Sequence, residues 1–265
     1  MPPVPADLAQ LLLEQYKFWL SFAFNGEAVW LLAYFFFIRL GFKQKTCAMP
    51  LLAICLAIPL NFLFAFVGYK TEPTLWPHST DGTMGDIIVV WTWRVCFVAS
   101  VILLWQYLRW GRHKPSDLPQ MGSYTIPVII GLLLLAGVGQ YTFVIFNEDY
   151  NCNQMYGPIC ILMGLSFIFM YFARPEIGHS LAGAWSRMIS DSALFIGDSI
   201  IQYQATVKGG PGGVDPINVF PGHELQPQIY VHYMTVAVVI LDLFYVWLVW
   251  QQRRKMRLAA ASANA

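Results

Sequence analysis

The chain has 265 residues, 57% of them hydrophobic and 12% charged, with a net charge of +1 and a mean hydropathy of +0.52. Soluble domains carry about 25% charged residues, so this composition excludes an ordinary soluble fold and points to one polytopic membrane domain over 1–265. The near-zero net charge says nothing of partners, and no basic cluster has the interleaving of a nucleic-acid site.

The N-terminal stretch MPPVPADLAQLLLEQYK lacks a basic start, and Glu14 and Gln15 break its apolar part. It reads as an amphipathic lead-in helix rather than a signal peptide. Six apolar runs are clear, at about 19–38, 48–69, 87–108, 125–146, 157–172 and 230–250. Between the last two lies 180–207, which is less apolar and contains Arg187, Asp191 and Asp198. Alone it would not pass as a spanning helix.

Loop charge sets the expected count. Arg39, Lys43 and Lys45 follow the first run, and Arg109, Arg112 and Lys114 follow the third. Arg174 and Arg187 follow the fifth, and the tail carries Arg253, Arg254, Lys255 and Arg257. These are twelve of the 16 basic residues, against Lys17, Lys70 and Lys208 on the other side. All the loops obey the positive-inside rule only if 188–207 also crosses. The expectation is an all-α bundle of seven transmembrane helices, with the N-terminus outside or lumenal and the C-terminus cytoplasmic. The loop KGGPGGVDPINVFPGHELQP before the last run is long for a connector, and reads as either a lid or a plain tether. No internal repeat is visible, and an odd helix count argues further against a transporter built from duplicated halves.

Ionisable residues fall inside these runs: Glu27 in the first, Arg94 in the third and Asp242 in the last, with Asn61 in the second. Asp191 and Asp198, seven apart, share one helical face. A carboxylate at the depth of Asp242 costs at least about 2.5–3.5 kcal/mol, and its short side chain cannot reach water from there. Several such groups imply a polar interior pocket or a proton path. Blander roles exist: Arg94 as a partner for Glu27 or a sixth-helix acid, Asp191 at the cytoplasmic interface, Asp198 as a cap. Aromatic residues make up 16% of the chain; much of that is interfacial belt, but a cavity with cation-stabilising faces is also compatible. Trp91, Trp93 and Tyr245 are candidate lining residues.

Cys55 and Cys96 read as core thiols, while Cys152 and Cys160 would be able to pair in an oxidising lumen. No Cys/His spacing resembles a zinc site, and no cofactor-binding motif occurs. The last helix has no lysine for a retinal Schiff base, and no DRY-like, NPxxY-like, DDxxD, GxSxG, HExxH or P-loop element is present.

Several pieces occur together in order: GEAVWLLAYFFFIRLG, then CAMPLLAIC running into LAIPLNFLFAFVGY, then YLRWG, GHSLAGAWSRMIS and LDLFYVWLV before a basic tail. This order resembles the fungal integral-membrane terpene cyclases of indole-diterpene and meroterpenoid pathways, the paxilline-cyclase family. The resemblance spans roughly 26–255. It implies seven helices, residence in the endoplasmic reticulum, no metal or cofactor, and a prenylated hydrophobic substrate supplied by a prenyltransferase and a flavin epoxidase. It also implies catalytic carboxylates. The late Asp of the family matches Asp242. The Glu of a WE pair in the second helix falls on Asn61, and a further Asp falls near Ser100.

The implied activity is protonation of an epoxide or alkene on the prenyl chain, followed by cationic ring closure. Burial raises a carboxyl pKa and so favours a neutral acid, while a dry site protects the cation from water. On this reading Asp242 is the general acid. Asn61 would hydrogen-bond Asp242 or the substrate oxygen, and Glu27 or Asp198 would replace the missing second acid. The alternatives are a non-enzymatic seven-helix transporter or receptor, and an inactive cyclase relative kept in the same pathway.

Overall fold

A computed structural model describes residues 27–67, 84–112, 122–147, 153–193 and 226–263. The amphipathic lead-in, Asp198, Cys152 and the Gly/Pro-rich loop lie outside them, as does the side chain of Glu27. Among the described residues all regular structure is helical. The α-helices are α1 (Glu27–Gln44), α2 (Leu51–Phe62), α3 (Met84–Gln106), α4 (Thr125–Asn147), α5 (Asn153–Ala173), α6 (181–193) and α7 (Gln226–Ala263). Helices α2 and α3 each run on into a π-helical turn, Leu63–Val67 and Tyr107–Gly111.

Among the described residues four helical stretches are long and apolar enough to cross a membrane: Trp91–Gly111, Gly122–Phe146, Met155–Ala173 and Val236–Ala263. Leu51–Val67 is apolar but shorter. Polarity is inverted relative to a soluble protein. On α4, Leu135 and Phe146 are 73% and 83% exposed, whereas Arg187, Asp191 and Asp242 are buried. Helix α7 has 38 residues, so at 1.5 Å per residue it is about 57 Å long. That is nearly twice the roughly 30 Å of a bilayer core, and its basic end therefore projects beyond its apolar stretch.

Helix α2 is central and contacts α3, α4 and α5; α1 packs on α3, and the most extensive pairing is α5 with α7. Glycines let that last pair approach. A Cβ on Gly157 would lie 2.9 Å from Met234 Cβ, and one on Gly164 would lie 3.2 Å from Leu241 Cβ. Small residues at helix crossings are how backbones come close where lipid supplies no hydrophobic drive. Helix α4 is tied on by Gln140, whose Nε2 donates to the Leu56 carbonyl at 3.0 Å, in the stretch of α2 just before Pro59.

At one end the α1–α2 and α5–α6 connections clasp each other. Arg174 donates from Nη1 to Thr46 Oγ1 at 2.8 Å and from Nη2 to the Cys47 carbonyl at 2.5 Å. The Gly178 amide donates to Gln44 Oε1 at 2.8 Å, and Gly178 has φ +88, a conformation natural only to glycine. His179 completes the corner. One ring nitrogen must donate to the Arg174 carbonyl at 3.0 Å, so the other accepts from the Tyr245 hydroxyl at 3.1 Å.

Two sequence expectations need correction here. The sixth helix extends ahead of the expected 188–207 span: it starts at 181, because Ser180 caps it, the Gly183 amide donating to Ser180 Oγ at 3.0 Å and the Ala184 amide to the Ser180 carbonyl at 2.8 Å. Apolar length alone missed that cap. Second, Arg174 and Arg187 are not solvated loop charges. Arg174 is 8% and Arg187 1% exposed, the first closing the loop clasp and the second lying inside the bundle. The loop-charge argument rests on the other basic residues.

Candidate functional site

Asp242, on α7, meets a cation. Arg187 Nη2 lies 2.7 Å from Asp242 Oδ1. One turn along α6, Asp191 Oδ2 lies 3.3 Å from Arg187 Nε, the i,i+4 spacing that places two side chains on one face. The two carboxyl groups also face each other within reach of a shared hydrogen bond. The result is an Asp191–Arg187–Asp242 cluster with every member 2% exposed or less.

Two further helices, α1 and α5, build its walls. From α1, Trp30 Nε1 donates to Asp191 Oδ1 at 2.8 Å. From α5, Phe167 lies under the guanidinium at 4.8 Å from ring centroid to Cζ, and the Cys160 carbonyl accepts from Arg187 Nη2 at 3.4 Å. Gly164 leaves the space that Arg187 occupies; a Cβ there would sit 3.4 Å from Nη2. Tyr245, one turn after Asp242, packs its ring tilted against Phe167 at 5.1 Å and carries the contact out to His179.

The cluster is not saturated by hydrogen bonds. Asp242 Oδ2, Asp191 Oδ2 and Arg187 Nη1 are buried with no aligned hydrogen-bond partner among the described residues. A proton held between the two carboxyls would satisfy one of these oxygens. It would also leave the cluster neutral, with one carboxylate against one guanidinium. An uncompensated ion in such a site costs several kcal/mol.

A second polar cluster sits across the bundle. Asn61 Nδ2 donates to Ser100 Oγ at 2.9 Å and lies 3.3 Å from the Tyr34 hydroxyl. Ser100 and Tyr34 are 3.0 Å apart, and Ser100 also donates to the Cys96 carbonyl at 2.8 Å. The two sequence positions at which carboxylates were expected, 61 and 100, are thus brought together as a neutral pair. Tyr34 packs its ring tilted against Trp30 at 5.5 Å, which links this cluster to Asp191. The expected Asn61–Asp242 hydrogen bond is not among the described contacts; Asn61 is occupied by Tyr34 and Ser100.

The remaining sequence candidates are distributed as follows. Glu27 begins α1, and Asp198 lies outside the described residues, so neither is shown at the cluster. Asp191 is fully buried and is the second acid of the cluster. Arg94 has its guanidinium 5.0 Å from the Trp91 ring and 5.7 Å from Phe66, and it is not the cation of Asp242. Trp91 is 58% exposed, Trp93 stacks on Phe64 at 5.2 Å, and only Tyr245 of the three named aromatics stands beside the cluster. Trp30 was missed, although it lies four residues before Tyr34 on one helix face. Cys160 is a free thiol, 3.9 Å from Asp191 Oδ1, while Cys152 lies outside the described residues. Cys55 and Cys96 are buried in the core, as expected.

Among the described residues no group of His, Cys, Asp and Glu is arranged to hold a metal ion. Comparison with protein-family models, curated proteins and solved structures finds no match to the chain.

Proposed function

We propose that this protein is a seven-span membrane terpene cyclase that protonates a prenyl or epoxyprenyl chain and triggers cationic ring closure. The observation that carries the proposal is the buried pair of carboxyls, Asp191 and Asp242, sharing one guanidinium. The second acid expected of such an enzyme comes from α6 in this reading, rather than from position 61, Glu27 or Asp198.

Asp191 already accepts a hydrogen bond from Trp30 and serves as the ionised member. Asp242 carries the proton, with Arg187 fixing its orientation through Oδ1. The Asp242 proton goes to the epoxide oxygen, the C–O bond breaks, and the tertiary cation is captured by successive alkene π bonds. The last cation loses a proton to the carboxyl pair, so the reaction is a net isomerisation and the acid is restored. Phe167, Tyr245 and Trp30 present aromatic faces that stabilise positive charge. The substrate class is an apolar prenylated aromatic or polyketide compound, made by a prenyltransferase and a flavin epoxidase. The expected location is the endoplasmic reticulum, with a cytoplasmic C-terminus.

A second reading is favoured by the 2.7 Å contact itself. A carboxylate held by arginine is stabilised in its charged form, and the cluster would then be a fixed ion pair locking α5, α6 and α7. The protein would be a non-enzymatic transporter or receptor, or an inactive relative of the cyclases.

The deciding experiment feeds epoxyprenyl and non-epoxidised prenyl substrates to microsomes containing the full chain. The cyclase reading expects a cyclic isomer of unchanged mass, lost in Asp242→Asn and in Asp191→Asn while both variants remain in the membrane. Undiminished product from Asp242→Asn would remove it as the acid. Substrate flux across vesicles without an isomer would favour transport.

A further inference from the structure

Where α7 leaves its apolar stretch, a cleft of about 350 Å³ opens between it, the end of α1 and the α5–α6 corner. Its α7 wall is one helix face, Val249, Gln252, Arg253, Met256, Arg257 and Ala260. From Val249 to Arg257 this face advances about 12 Å, turning from apolar to basic along the way. Of the four basic tail residues, only Arg253 and Arg257 line the cleft. Arg254 instead caps the Trp250 ring at 5.8 Å, and Lys255 is exposed.

No salt bridge is described for Arg253 or Arg257 among the described residues, although Glu176 also lines the cleft and is exposed. His179 on the opposite wall adds no cation near neutral pH, because burial pushes its imidazole down to about 4. The Gln44 carboxamide oxygen is likewise taken by the Gly178 amide. The balance is therefore two arginines against one carboxylate, at the level where a helix passes from lipid to water.

We propose that this cleft binds a phosphate-bearing anion, and that the anion is the headgroup of an acidic phospholipid. Two guanidiniums on successive turns match phosphate oxygens in the manner for which arginine is suited. The apolar inner wall, Leu40 and Val249, distinguishes a lipid from free phosphate, because it accepts the glycerol and the start of an acyl chain. Cationic side chains near an anionic headgroup act most strongly at this depth. The role is independent of the acid cluster and holds whether or not the protein is an enzyme.

The test uses the full chain in phosphatidylcholine micelles doped with phosphatidic acid, with retained lipid measured by native mass spectrometry and unfolding by thermal midpoint. One phosphatidic acid is expected to stay with each chain and to raise the midpoint. R253Q/R257Q is expected to reduce retention by about tenfold or more, whereas R254Q/K255Q, with the same loss of charge, retains it. R253K/R257K keeps the charge and guards against a folding defect, and is expected to retain an intermediate amount. Equal loss in the two glutamine pairs would mean diffuse tail charge and overturn the site. Equal retention of phosphatidylcholine would overturn the need for an anion. Inorganic phosphate alone giving the full midpoint shift would overturn the lipid assignment in favour of a soluble phosphate.

Discussion

At the residue scale, one arginine decides most of the energetics. Arg187 contacts two acids from different helices, so removing it strands Asp191 and Asp242 together in a dry site with no cation. Arg187→Ala is expected to cost about 3–5 kcal/mol, the usual penalty for breaking a buried ion pair, measured as thermal unfolding in detergent. Asp242→Asn leaves one carboxylate facing one guanidinium and should cost clearly less; equal losses would mean that charge balance is not what holds the cluster. His179 gives a separate pH dependence. Burial pushes its imidazole down from 6.5 to about 4. Its folded pKa lies below its unfolded value, so its stabilising contribution is complete above pH 6.5 and is lost as the pH falls towards 4. The loss is on the order of 3 kcal/mol at most, and a pH series of midpoints that is flat in His179→Gln but sloped in the native chain would confirm it.

At the element scale, glycines separate helix faces that touch from faces that do not. Gly164→Ala would press on Leu241 and Arg187 at once. Overpacking of that kind costs about 1–3 kcal/mol, and any substrate turnover should fall with it, because Arg187 would shift. Gly131 and Gly139, on α4, have nothing within 4 Å of an added Cβ. Alanine at either position is expected to be neutral or stabilising by up to about 1 kcal/mol, from helix propensity alone. Thermal midpoints of the three variants check this ordering, and a loss at Gly131→Ala as large as at Gly164→Ala would contradict the packing of α4.

At the scale of the whole molecule, large apolar side chains face outward while Arg187, Asp191 and Asp242 lie inside. The exposed apolar face of α4, from Ile126 through Leu134 and Val138 to Phe146, is far more than a soluble monomer carries. The chain is expected to stay in the membrane pellet through alkaline carbonate extraction and to need detergent for release. Recovery in the carbonate supernatant would contradict a spanning bundle.

The sequence by itself determined the helical class, the approximate position of most apolar helices and the burial of Asp242, because each follows from local hydropathy and from the cost of charge in lipid. The i,i+4 pairing of Arg187 with Asp191 was also legible, but loop charge and interfacial depth explained both residues equally well along a line of text. Only tertiary structure decided that α6 turns this face inward against α7. That choice depends on the local Ser180 cap together with the room left by Gly164 and the clasp at Gly178, the last two being close approaches between segments far apart in the chain. The company of Asp242 was settled the same way. Its partner is an arginine shared with Asp191, while Asn61 belongs to a separate cluster with Ser100 and Tyr34, because helix packing, not spacing in sequence, brings buried polar groups to their partners.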